Sequence, residues 1–201
     1  MPEELQSDSQ YWNSSYARGR PPWDLDGAPP ILSDVIEPYR SAELRVFVPC
    51  SGLGHDAIAW AAAGHDVVAV DFAPLAVQGA RRLAAQRGVA LEVLEADLFQ
   101  LPEDLAGRFD IVWEQTCLAA IEPQKRAAYL GEMARLLKPQ GRFIGLLWNH
   151  GNSGGPPYDM NLELITEISS GIFSVEGQQW VDREVSLRET EFLIYLKKVT
   201  S

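Results

Sequence analysis

The stretch LRVFVPCSGLGHDAIAWAAAGHDVVAVDFAP, Leu44 to Pro74, decides the fold. It opens with an apolar run, turns through Gly52 and Gly54, enters an alanine-rich segment and closes with a second apolar run ending at Asp71. Leu44 to Val48 is short and apolar, as suits a strand buried on both faces. His55 to Ala63, bounded by Gly54 and Gly64, has the composition of a helix with a glycine stop. His65 to Asp71 supplies the next strand. A strand, a helix and a strand in this order form a βαβ unit, whose crossover makes the two strands parallel.

The alternation continues outward from that unit. Pro74 to Arg87 reads as a helix stopped at Gly88, Leu91 to Asp97 as a third strand and Arg108 to Gln115 as a fourth. Pro123 to Leu137 is amphipathic, with Tyr129, Leu130, Met133, Leu136 and Leu137 on one face. KPQG then reads as a breaker before a fifth strand, RFIGLLWN, and Asn161 to Ile168 as a further helix. Two strand candidates close the chain, QQWVDREV and EFLIYLKKV, with a linker too short for a crossover. The pattern predicts a doubly wound, Rossmann-like α/β fold: a mostly parallel seven-stranded sheet with helices on both faces and an antiparallel C-terminal edge. Residues 1–43 differ, holding Pro21, Pro22, Pro29, Pro30 and Pro38 together with Tyr11, Trp12, Tyr16 and Trp23. They are expected to form a short helix and an ordered arm covering the active site of a domain spanning 44–201.

The 201 residues carry a formal net charge of −11. Such a charge repels nucleic-acid phosphates and anionic lipid surfaces, so the expected partner is a small molecule, with neither nucleic acid nor membrane. The opening MPEELQSDSQ is acidic and polar, unlike a secretory leader, and no apolar run approaches a bilayer span. A cytoplasmic protein, monomeric or weakly dimeric, is expected. Cys50 and Cys117 are too few for a disulfide framework, and Cys117 reads as a small pocket or core residue rather than a nucleophile. No CxxC or HExxH spacing suggests a metal.

In a doubly wound sheet the ligand lies beyond the carboxyl ends of the strands, where strand order reverses. Gly52 and Gly54 let a ligand approach the backbone there, but a third glycine is missing, since Ala57 stands in its place. Asp71 closes the second strand and can accept from both hydroxyls of a ribose; capping the following helix is its structural alternative. Asp97 and Leu98 could take an adenine amino group and wall its ring, or Asp97 could belong only to a turn. Glu114, at the end of the fourth strand, is also expected on the ligand side.

These residues resemble the class I S-adenosylmethionine-dependent methyltransferases, and more specifically the thiopurine S-methyltransferase family in its thiol and halide methyltransferase branch. The likeness is carried by YWNSSYARGRPPWD (Tyr11 to Asp24), VPCSGLGHDA, AIEPQKRAAY (Ala120 to Tyr129) and SGGPPY (Ser153 to Tyr158), in that order over most of the chain. It implies S-adenosylmethionine contacts from Trp23, Gly52, Gly54, Asp71, Phe72, Asp97, Leu98 and Glu114. Around the acceptor it implies Tyr16, Cys117, Trp148, Pro156 and Tyr158. His150, which follows the fifth strand, is the best-placed imidazole to help a thiol lose its proton, with a surface-loop histidine as its structural alternative. The implied activity is methyl transfer to a small nucleophile: a thiol, a selenol or a halide. Transfer to oxygen or nitrogen of a small metabolite is the alternative within the fold; a nicotinamide-dependent oxidoreductase or a non-catalytic cofactor-binding protein are the alternatives outside it. Asp56, at the mouth of the first crossover helix, would repel a pyrophosphate and suits a cationic cofactor.

Overall fold

The computed structural model describes residues 9–182 and 188–199. Seven strands form one sheet in the order β3-β2-β1-β4-β5-β7-β6. β1 (Arg45–Val48), β2 (Asp66–Asp71), β3 (Glu92–Glu95), β4 (Phe109–Gln115) and β5 (Leu137–Trp148) are parallel. β7 (Glu191–Lys198) inserts antiparallel between β5 and the edge strand β6 (Phe173–Trp180). Because β1 has β2 on one side and β4 on the other, strand order reverses there, which opens a crevice at their carboxyl ends.

The pleat of the central strands separates two apolar cores. Phe47, Val68, Val70, Val112 and Phe143 face one side, where Tyr129, Leu130 and Met133 of α6 (Arg126–Leu136) and Ile165 of α7 (Leu162–Ser169) cover them. Val46, Val48, Val67, Ala69, Ile111 and Trp113 face the other, against Trp60 of α3 (His55–Ala62) and Val77 and Ala80 of α4 (Pro74–Arg87). Side chains at every second position thus serve opposite layers, which is why these strands hold continuous apolar runs rather than alternating. The second core also takes in Leu32, Val35 and Ile36 of α2 (Leu32–Ile36), so the chain joins the main body well before Leu44.

Helix ends follow the local chemistry. Gly88 ends α4 at φ 64°, returning its N–H to the carbonyls of Ala84 and Ala85. Asn161 starts α7 by accepting from Leu164 N at 2.9 Å, a cap worth about 1 kcal/mol. The N-terminal helix α1 (Ser9–Ala17) meets α4 in the same way from outside: Asn13 Oδ1 accepts from Leu75 N at 2.8 Å. An N–H left unpaired by the first turn of α4 therefore fixes the arm.

Three expectations change. KPQG does not break the chain, because β5 runs through it, with Gln140 at φ 66°. Its pairing with β4 jumps from Phe109↔Leu137 to Ile111↔Arg142, so the extra residues are absorbed as a bulge. The penultimate strand is not QQWVDREV but Phe173–Trp180; Val181 and Asp182 lie beyond it, and 183–185 fall outside the described residues. This strand is exposed at successive positions and its register shifts between Val175 and Gly177, which hides the alternation. Finally, Cys50 and Cys117 are paired as a disulfide, with Cα atoms 5.4 Å apart and a sequence separation of 67. Each cysteine follows a strand end, β1 and β4, and those strands are neighbours in space but distant in sequence.

Candidate functional site

At the β1/β4 crevice a cleft is lined by Tyr16, Trp23 and Asp24 of the arm, by Cys50 to Leu53 and Asp56 of the glycine turn and α3, and by Gln115 and Thr116 after β4. The turn is shaped by Gly52 at φ 54° and by Cys50, also left-handed at φ 45°. A Cβ on Gly52 would lie 3.1 Å from Tyr16 Oη, so glycine lets the arm close onto the turn. Trp23 Nε1 donates to that same hydroxyl at 3.2 Å, and burial raises the Tyr16 pKa. Gly54 plays a different part: it is buried at the start of α3, and a Cβ there would meet Ala80 Cβ of α4 at 3.0 Å.

Asp71 closes β2 but stands outside the residues that line the cleft, and both its carboxylate oxygens accept from the backbone. Its Oδ2 accepts from Gly52 N and its Oδ1 from Ala73 N, both at 2.9 Å, so one carboxylate joins the glycine turn to the end of β2. Burial raises its pKa, and the hydrogen bonds from Ala73, Gly52 and Phe72 oppose that rise. It does not cap α4, whose N-cap is Ala73. Ala96 N donates to Asp71 O at 3.1 Å, which sets Asp97 and Leu98 beside this strand end. The Asp97 carboxylate is occupied by its own turn, accepting from Phe99 N and from Gln100 Nε2. Phe72, Asp97 and Leu98 stand outside the residues that line the cleft.

Glu114 is not among the residues that line the cleft. It is fully buried, with Oε1 accepting from Leu118 N at 2.7 Å and Oε2 from the Tyr129 hydroxyl. The pleat explains this: Trp113 points to α3, so Glu114 points to α6. Burial pushes its carboxyl up to about 7, against the hydrogen bonds it accepts. The strand end offers Gln115 and Thr116 to the cleft instead. Asp56, by contrast, lines the cleft; its Oδ2 accepts from Trp113 Nε1 at 2.6 Å, and burial pushes its carboxyl up to about 7.

A second group gathers after β5. Trp148, at the strand end, donates from Nε1 to Glu189 O at 2.7 Å, and the Arg188 guanidinium lies 5.6 Å from its ring. His150 packs 4.7 Å from Trp148. Its Nδ1 accepts from Asn152 N at 3.1 Å, which assigns the proton to Nε2 in the neutral ring. His150 is thus arranged as a donor rather than a base. Pro156 and Tyr158 sit in a loop pinned at Tyr158 N to Ala119 O and at Met160 N to Trp148 O. The Tyr158 ring folds back on Gly155, where any Cβ would collide with it, and Arg126 lies 5.2 Å over its face. Arg126 is 4% exposed and its Nη2 is buried without a hydrogen-bond partner. Cys117 is 1% exposed and belongs to the core, so it is Cys50 that reaches the cleft wall.

Composition signalled none of Ser51, Leu53, Thr116 or Gly155; only their positions after strand ends and beside an aromatic ring mark them. Among the described residues no group of three or more His, Cys, Asp or Glu side chains could hold a metal ion, and no helix is long and apolar enough to cross a membrane.

Comparison with known proteins joins these features. The family model for thiopurine S-methyltransferase matches residues 7–194. The probable thiol methyltransferase 2 of Arabidopsis thaliana is 31% identical over 179 residues, covering 88% of this chain and 78% of that protein. Thiocyanate methyltransferase 1 of Brassica oleracea is 28% identical, covering 84% and 74%. In fold, the chain superposes on the Burkholderia thailandensis 1,6-didemethyltoxoflavin-N1-methyltransferase, solved with S-adenosylhomocysteine bound, at a TM-score of 0.76 and 22% identity over 98% of this chain and 90% of that one. With the glycine turn, the acid at the end of β2 and the reversed last strand all in place, the chain belongs to the thiopurine S-methyltransferase family and is an S-adenosylmethionine-dependent methyltransferase that acts on a small nucleophile.

Proposed function

We propose that the acceptor is a small, soft, anionic nucleophile: a thiolate, a selenolate or a halide or pseudohalide. The observation that carries this reading is the pairing of Arg126 with Tyr158. A buried guanidinium with an unpartnered Nη2, set over an aromatic face, offers charge and a dry apolar wall together. Burial lowers its pKa, yet arginine remains charged. His150 offers no base to an acceptor held there, since its Nδ1 lone pair is taken by Asn152 N. Nucleophiles that arrive deprotonated need none. The relatives named for thiol and thiocyanate methylation support the same chemistry.

The cleft residues fit the cofactor. A cationic sulfonium nucleoside suits walls that carry Asp24 and Asp56, whereas a pyrophosphate would be repelled by them. The bound cofactor supplies an activated methyl group whose departure needs no acid. Asp71 and Phe72 would hold the ribose, Asp97 and Leu98 the adenine, and Gly52 with Trp23 the amino-acid end. Tyr158 and the His150 Nε2–H would orient the acceptor as donors, beside Trp148 and Pro156, while Tyr16 and Trp23 exclude water.

Purified protein with methyl-labelled S-adenosylmethionine and a panel of thiols, thiocyanate, iodide and hydroxylated aromatics tests this. Label should pass to the sulfur and halide acceptors, and Arg126→Met should remove most of that transfer. Label only on hydroxyl acceptors would overturn the assignment.

A further inference from the structure

One carboxylate oxygen at the cleft is satisfied by no hydrogen bond among the described residues. The Asp24 side chain is 6% exposed and lines the cleft. Its Oδ1 accepts from Asp26 N at 2.9 Å and lies 3.3 Å from His55 Nε2. Its Oδ2 is buried without a hydrogen-bond partner. A buried carboxylate oxygen left in this state is costly, so an arm retaining one is built to meet a positive charge. The arm that carries it is anchored on both sides: Asn13 accepts from the first turn of α4, and Arg188 Nη2 donates to Trp23 O at 3.3 Å. Asp56 adds a second carboxyl to the same walls, but its Oδ2 already accepts from Trp113 Nε1 at 2.6 Å and the Arg188 charge already acts on it, which leaves Asp24 Oδ2 as the oxygen open to a ligand.

We propose that Asp24 distinguishes the charged methyl donor from the uncharged sulfur of the spent product, and so ties closure of the arm to the state of the cofactor. This rests on the cofactor reading above. In the transfer, the C–S bond breaks with its electron pair kept by sulfur, while the acceptor's lone pair forms the new bond to the methyl carbon. The ligand therefore loses one positive charge. The attraction that Asp24 Oδ2 exerts on the donor is absent for the product, which keeps only the contacts that both ligands share.

The test compares three ligands by calorimetry: S-adenosylmethionine, S-adenosylhomocysteine, and sinefungin, an analogue with a protonated amine where the donor has its methylsulfonium. All three share the α-ammonium, so only the charge at the reacting centre differs. Asp24→Asn should weaken sinefungin and S-adenosylmethionine about tenfold or more, as for losing one partner of a buried charge pair, and S-adenosylhomocysteine less than about threefold. Asp24→Glu should restore part of the difference. Fluorescence of Trp12 and Trp23, both in the arm and with rings 5.1 Å apart, gives a second readout: the cationic ligands should shift it more than the product does, and Asp24→Asn should remove that excess. Equal losses for all three ligands would put Asp24 on the shared α-ammonium and overturn the proposal, as would no change for any. A wild-type protein that binds none of the three would overturn the cofactor reading itself, an outcome distinct from either.

Discussion

Replacing Glu114 by glutamine should change how stability depends on pH, and the size of the effect follows from burial. Glu114 ordinarily titrates near 4.5 and is pushed to about 7 in the folded protein. A raised carboxyl pKa means that the folded state binds a proton more tightly than the unfolded chain. The resulting stabilisation is full below 4.5 and is lost as pH climbs through 7. At roughly 1.4 kcal/mol per pH unit, the gap amounts to about 3 kcal/mol between acidic and mildly alkaline conditions. The glutamine side chain of the Glu114→Gln variant would keep the acceptor for Leu118 N and turn its amide toward the Tyr129 hydroxyl, which can accept. Urea unfolding at about pH 5 and about pH 8 on both proteins gives the double difference, in which Asp56 and Asp71, common to both, cancel. The variant should gain about 3 kcal/mol on wild type between the two conditions. Parallel stability profiles would refute the reasoning, because they would mean that Glu114 has the same pKa folded and unfolded.

Opening the Cys50–Cys117 bridge should cost about 4 kcal/mol by the chain-entropy model for a loop of this length. Reducing agent should lower the wild-type urea midpoint accordingly and leave Cys50→Ser unmoved. Methylation of a thiol should accelerate with pH up to the acceptor's own pKa near 8.5, whereas methylation of thiocyanate should be flat over that range; a rise for both would refute this by placing the titrating group on the protein rather than on the acceptor. Gly155→Ala should push the Tyr158 ring out of place, lowering kcat at least tenfold with S-adenosylhomocysteine affinity unchanged, as isothermal titration would show.

β1, β2 and the centre of β4 were legible because each serves two cores and holds a continuous apolar run. The β1 and β2 boundaries agree to within a residue, and α4 agrees at both ends because Pro74 and Gly88 mark them. The edge of the sheet was less legible: β6 is exposed at successive positions and bulged, so its period carries little signal. In the sequence, the place of Asp71 at the end of β2 could be read, but not that both its oxygens accept from backbone N–H groups. Glu114 could not, since strand-end position says nothing about which side of the pleat a residue occupies. Asp97 shows the same limit, its carboxylate being equally at home in a turn. The cysteine pairing was invisible for a different reason: adjacency of β1 and β4 is a property of the sheet order, not of the sequence separation of 67 between the thiols.

That pairing also divides the molecule in a way the layer description does not. Residues 50 to 117 become a covalent ring that contains α3, β2, α4, β3 and β4. Asp71 and the glycines lie inside it; Arg126, Trp148 and Tyr158 lie on the chain that follows. A recombination joint just after Cys117 would therefore exchange the half proposed to select the acceptor for that of a relative while leaving the ring intact. The cross-link marks a seam for building chimaeras.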